Sequence, residues 1–213
     1  MSTKADVVYD KMKGRFEVAK CELDFKNNYE LLVAVILSAR CTDKKVNQVT
    51  KSLFKIYPTP KDLANASIEK LEKEIYSCGF YKNKAKNLVN MAKDLVSRFD
   101  GVVPDNFDDL LSLAGVGRKT ANVTLWTGFK KPAIAVDTHV FRVANRVGLC
   151  KTKTPLDTEL ALQKSIEREK WGDFHHYLVL FGRYVCKSQN PACDECELRE
   201  ICDFYKENNK NNL

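Results

Sequence analysis

Apolar residues recur at helical spacing along almost the whole chain. The pattern predicts helices over 30–38, 46–56, 69–77, 84–97, 107–113, 118–128, 138–147, 156–168 and 174–186. Only the stretch AIAV at 133–136 reads as extended, and it is short. Breakers fall between these segments: Pro58 and Pro60, Gly79, Gly101 with Pro104, Gly115 with Gly117, Pro132, Pro155 and Pro191. The expected fold class is all-α, with short connections and no long linker. The tail KENNKNNL, 206–213, is low in complexity and is expected to fray.

With 213 residues, 44% of them hydrophobic, the chain can bury a core as one unit or as two modest lobes. A formal charge of +7 favours a polyanionic partner, although the same balance is common among ordinary soluble proteins. The N-terminal segment has no apolar core of signal-peptide length, and LLVAVIL at 31–37 is far too short to span a bilayer. The expectation is a soluble, cytoplasmic protein with no membrane partner.

A reducing compartment argues against reading the eight cysteines as a disulfide framework. Cys21, Cys41, Cys78 and Cys150 are scattered. Cys186, Cys193, Cys196 and Cys202 crowd one end in the pattern C-x6-C-x2-C-x5-C, close enough to converge on one metal centre. Soft sulfur ligands suit zinc or an iron–sulfur cluster, and spacing alone does not choose between them.

The stretch LAGVGRKTANVTLW, 113–126, joins two predicted helices through Gly115 and Gly117. The first helix starts near Asp105 or Asn106, either of which can cap it, and is expected to end at Gly115 in the left-handed conformation. Val116 can turn inward, and Gly117 lets the backbone approach a ligand before the second helix begins. The result is a helix-hairpin-helix, whose amides and helix N-terminus form a seat for phosphate; a plain helical corner would give the same bare pattern. Lys119, beside Arg118, reads either as a solvated surface lysine or as an amine that the local positive potential keeps unprotonated and nucleophilic. Asp137, ahead of an amphipathic helix carrying Val140, Val143, Ala144 and Val147, reads as an N-cap, a role compatible with holding a catalytic carboxylate still.

The segments LLVAVILSARCTD at 31–43, LAGVGRKTANV at 113–123 and VDTHVFRVANR at 136–146, together with the spacing of the four C-terminal cysteines, resemble the endonuclease III family. These are bifunctional DNA glycosylases of the helix-hairpin-helix superfamily, and the likeness runs from about residue 25 to 205 in family order. The resemblance implies a two-lobed all-α fold: a six-helix barrel domain over 21–131, with the hairpin motif at about 107–128, and a discontinuous domain of 1–20 and 132–213 that holds a [4Fe-4S] cluster on Cys186, Cys193, Cys196 and Cys202. Duplex DNA would lie across the cleft between them.

On this resemblance the substrate is duplex DNA carrying a damaged pyrimidine or an abasic site, with the nucleotide flipped out of the stack. Lys119 would attack C1′ and form a Schiff base, and β-elimination would then break the strand on the 3′ side. Asp137 would assist proton transfer and stabilise charge on the sugar. The hairpin residues Gly115, Val116, Gly117 and Arg118 would contact DNA, and Phe80 matches the position of an apolar wedge that fills the gap left by the flipped base; a core aromatic is the other reading of Phe80. A monomer is expected.

The chain also departs from the family. Arg40 stands where a glutamine is common, and Ala114 where a proline is common in the hairpin. The loop KSQNPA between Cys186 and Cys193 offers only Lys187 for phosphate, where relatives are more basic. His139, His175 and His176 are expected to make packing or polar contacts. Three other functions use part of the pattern. A glycosylase that releases adenine by activating water would lack a lysine at 119. A non-cutting DNA-binding module would need neither Lys119 nor Asp137, and an iron–sulfur electron carrier would not need the hairpin.

Overall fold

The computed structural model describes residues 2–16 and 21–209. In chain order the helices are α1 (Lys4–Phe16), α2 (Asn28–Ser38), α3 (Asp43–Ile56), α4 (Pro60–Ala64), α5 (Ile68–Glu74), α6 (Tyr81–Arg98), α7 (Phe107–Leu111), α8 (Arg118–Phe129), α9 (Thr138–Val147), α10 (Pro155–Ser165), α11 (Trp171–Tyr184) and α12 (Asp203–Asn209), with a 3₁₀ turn at Arg168–Lys170. No strand occurs among the described residues, so the fold is all-α; Ala133–Val136 is buried yet pairs with no sheet. No helix among the described residues is long and apolar enough to cross a membrane.

The chain divides into two compact units, one formed by Met1–Cys21 with Pro132–Leu213 and the other by Glu22–Lys131. In the second of these, α2 is the central element. Every residue from Tyr29 to Leu37 is buried, which suits a helix that is apolar all round rather than along one stripe. Asn27 starts it, its side chain accepting from the Glu30 amide at 2.9 Å. Helices α3, α6 and α8 pack against it, and α4 and α5 pack on α6.

The discontinuous unit is organised around α9 and α11, with α1 laid on α11. Its core joins Val8 and Met12 of α1 to Val140, Val143 and Val147 of α9 and Phe174, Leu178 and Phe181 of α11. Tyr9 meets Phe174 and Tyr177 edge-on, with ring centroids 5.9 and 5.5 Å apart. Gly182 lets α11 approach α9 closely, because a Cβ there would lie 2.7 Å from Cβ of His139.

The apolar spacing did not predict α1, α4 or α12. Pro60 reads as a breaker but occupies the first turn of α4, where its missing N–H costs nothing, and Thr59 with Asp62 completes a capping box. Part of the tail expected to fray, 206–209, belongs to α12; residues 210–213, like Met1 and 17–20 at the expected domain edge, lie outside the described residues.

Candidate active site

The hairpin is built by α7, α8 and the turn between them. Asn106 caps α7, accepting from the Asp109 amide at 2.9 Å. The helix proper stops at Leu111, earlier than the expected end at Gly115, and Ser112–Ala114 continue as hydrogen-bonded turns through Leu113 N to Leu110 O and Val116 N to Leu113 O. Gly115 has φ +75°, the left-handed region, while Val116 points inward and is buried. Gly117 is the N-cap of α8 and offers no side-chain cap, so the first-turn amides of α8 are left to another acceptor. Arg118 lies over the Phe107 ring at 4.8 Å, and Lys119, one residue further, is exposed in the first turn of α8.

Gly115 is held to glycine by two constraints. Positive φ strains any L side chain, and a Cβ there would lie 2.7 Å from Cβ of Asn87 on α6. Gly115→Ala is expected to lower stability by about 1–2 kcal/mol or more, read by urea denaturation, and to weaken binding to duplex DNA; unchanged stability would show that the turn relaxes freely.

Asp137 opens α9. Its Oδ1 accepts from the amides of His139 at 2.8 Å and Val140 at 2.9 Å, so the carboxylate is fixed by the helix that it caps. His139 Nδ1 lies 3.2 Å from Arg142 Nη2. His175 and His176 are both buried in α11, with ring centroids 5.0 Å apart.

The wedge candidate is no core aromatic. Phe80 is 61% exposed and has φ +60° at the start of α6. The Arg40 guanidinium lies over its ring at 5.2 Å, and Arg40 itself has φ +54°. Tyr76, also exposed, sits against Tyr81 with ring centroids 4.9 Å apart. Linear spacing gave no signal for Tyr76.

Cys186, Cys193, Cys196 and Cys202 line one cavity, walled mostly by apolar side chains that include Val147, Phe181, Val185 and Leu198, with Arg199 also on the lining. Burial pushes the Cys196 thiol up to about 11 and raises those of Cys193 and Cys202. A thiolate in these surroundings needs a positive partner. Among the described residues no three His, Cys, Asp or Glu side chains are grouped as ligands of a single metal ion.

Two arginines of α9, missed in the sequence, hold the cysteine segment in place. Arg142 donates from Nε to the Cys186 carbonyl at 3.0 Å and from Nη2 to the Gly182 carbonyl at 2.8 Å. Arg146 donates to the carbonyls of Lys187 at 2.6 Å and Ser188 at 3.1 Å, approaches the Cys186 sulfur at 3.7 Å and lies 4.5 Å over the Phe204 ring. Their one sequence signal is the four-residue spacing that puts both on one helix face. Lys187 is exposed, and it is its carbonyl that this clamp engages.

Residues 33–168 match the HhH-GPD superfamily of base excision DNA repair proteins. The chain is 46% identical over 205 residues to endonuclease III of Bacillus subtilis (strain 168), covering 96% of this chain and 94% of that protein. It is 50% identical over 186 residues to endonuclease III of Rickettsia conorii (strain ATCC VR-613 / Malish 7), covering 87% and 89%. Its fold is similar to that of a solved trapped endonuclease III–DNA covalent intermediate, an estranged-adenine complex, with a TM-score of 0.93, 46% identity, and 98% and 99% of the two chains covered.

Proposed function

Because the chain belongs to the endonuclease III family of HhH-GPD DNA repair glycosylases, we propose that it removes oxidised pyrimidines from duplex DNA and cleaves the strand through a Schiff base on Lys119. The observation that carries this reading is a lysine exposed in the first turn of α8, directly after a glycine hairpin whose amides suit phosphate. Phosphate held at Gly115–Arg118 would bring the backbone of one nucleotide to the foot of α8 without reading its base.

In the reaction the free amine of Lys119 attacks C1′ of the damaged nucleotide, and the C1′–N bond breaks as the base leaves with a proton. Ring opening gives an iminium on C1′. Removal of a C2′ proton then expels the 3′ phosphate, and water hydrolyses the imine to return the lysine. Asp137, held by its two capping bonds, stabilises positive charge on the sugar and takes part in proton transfer. Phe80 is the apolar wedge, with Arg40 beside it contacting the opened duplex. Lys187 is the single basic side chain of the cysteine loop that this reading leaves for a phosphate. One chain carries every residue used, and the enzyme works as a monomer in the cytoplasm.

Borohydride reduction tests the covalent step. The protein with a duplex carrying one oxidised pyrimidine is expected to give a stable protein–DNA adduct and a product cut on the 3′ side; base release with neither would overturn the lyase reading.

Cys186, Cys193, Cys196 and Cys202 would hold a [4Fe-4S] cluster, as the endonuclease III likeness implies: all four thiols line one largely apolar cavity, and soft sulfur ligands suit iron–sulfur. When bound, the cluster supplies four iron–sulfur bonds that tie the C-terminal segment down. Holoprotein is expected to be brown, with about four irons per chain. Cys196→Ser is expected to bleach it and lower stability by more than about 2 kcal/mol in urea. Colourless protein containing stoichiometric zinc would overturn the assignment.

A further inference from the structure

The unit Glu22–Lys131 holds two cysteines on adjoining turns that the proposed chemistry does not use. Cys41 follows Arg40 after α2, and Cys78 precedes Gly79 and Phe80 ahead of α6. The turns meet at their backbones: a Cβ on Gly79 would lie 3.4 Å from the Arg40 carbonyl oxygen. They meet again through the Arg40 guanidinium over the Phe80 ring. Cys41 and Cys78 flank this meeting point, close enough to act on each other electrostatically, and neither is in a disulfide. Cys78 is fully buried, whereas Cys41 is partly open to solvent.

A buried cation completes the group. Lys84 of α6 is only 6% exposed and donates from Nζ to the carbonyls of Leu37 at 2.8 Å and Ala39 at 2.7 Å, at the end of α2. Burial holds its ammonium below the usual lysine range, and the Cys78 and Cys41 sulfurs beside it act in the opposite sense. Burial likewise pushes the Cys78 thiol up to about 11, with the Lys84 charge pulling back. The two sulfurs thus lie beside each other and beside a buried cation, and Cys41 is the one that solvent reaches.

We propose that Cys41 and Cys78 form a reversible redox modification site, in which hydrogen peroxide closes a disulfide that fastens the Arg40 turn to the Phe80 turn. The Cys41 thiolate attacks one peroxide oxygen, the O–O bond breaks, and sulfenic acid forms while the other oxygen leaves as water after protonation. Cys78 then attacks the sulfenic sulfur, the S–O bond breaks, and a second water leaves as the S–S bond forms. Two electrons pass from the two thiols to one peroxide, and a dithiol reverses the step by thiol–disulfide exchange.

The consequence for DNA rests on the reading of Phe80 and Arg40 as duplex contacts. Inserting a wedge requires Phe80 to leave the Arg40 guanidinium, and a covalent tie between the residues flanking them opposes that separation. The oxidised protein is expected to bind a duplex with a non-cleavable abasic analogue about tenfold more weakly, about 1.4 kcal/mol.

The experiment treats holoprotein with hydrogen peroxide at a dose that leaves its iron content and visible spectrum unchanged. Free thiols are then alkylated, the protein is digested without reductant, and linked peptides are sought by mass spectrometry. Affinity for the abasic duplex is measured before oxidation, after it and after dithiothreitol, in wild type, Cys41→Ser and Cys78→Ala. The expected result is a Cys41–Cys78 peptide and a reversible loss of affinity in wild type, with neither in Cys41→Ser. Absence of the linked peptide from wild type overturns the site without reliance on any variant. A linked peptide with unchanged affinity, or an equal loss in Cys41→Ser, overturns its control of DNA binding. Failure of the reduced wild type to bind the abasic duplex at all would instead count against the wedge reading, while the peptide map still decides the thiol chemistry.

Discussion

Replacing Lys119 by alanine is expected to abolish the borohydride-trapped adduct on damaged duplex DNA and to slow strand cleavage by at least about 10³-fold, a loss of about 4 kcal/mol in transition-state stabilisation. The size follows from the role: without the amine no iminium forms, and β-elimination loses the electron sink that makes the C2′ proton acidic. The fold should be spared, because Lys119 is exposed and alanine is the best helix former. DNA affinity should fall modestly, with the salt slope reduced by at most about one. Measuring all four quantities on one preparation makes the outcome decisive. A trapped adduct that survives in Lys119→Ala would assign the nucleophile elsewhere.

Asp137→Asn is expected to lower base release by about 10² to 10⁴-fold while leaving the folded state intact. The reason lies in the cap. Both capping bonds are accepted by Oδ1, and an amide oxygen accepts them equally well, so asparagine keeps α9 in place and removes only the charge. Alanine removes both, and Asp137→Ala should additionally cost about 0.5–2 kcal/mol in stability. The pair of variants separates structural from chemical roles. If asparagine retained wild-type turnover with alanine alone impaired, Asp137 would be a cap and nothing more.

What the sequence made legible was whatever depends on local rules. The left-handed Gly115, the inward Val116 and the capping Asp137 are consequences of three or four neighbouring residues, and they occur where local chemistry predicts. Helix α2 was legible for the opposite reason: a run apolar on every side can only be an interior element. The weakly apolar α1 was hidden because its stripe of Ala5, Val8, Tyr9 and Met12 gains meaning only when α11 covers it. Pro60 misled because proline's effect reverses between the first turn and the interior of a helix. Their four-residue spacing puts Arg142 and Arg146 on one helix face, but their targets, backbone carbonyls some forty residues away, could not be read, since carbonyl acceptors leave no trace in residue identity. The same holds for Cys41 and Cys78, whose meeting depends on how α2 and α6 are packed.

Helix α9 links two tasks that the linear sequence keeps apart. Asp137 stands at its first turn and Arg146 at its last, so one stiff rod of ten residues, about 15 Å long, carries the carboxylate at one end and grips the cysteine segment with the other. Losing the proposed cluster would loosen the grip at one end of this rod and with it the fixed position of the carboxylate at the other. Iron-depleted protein is therefore expected to lose turnover together with stability in urea.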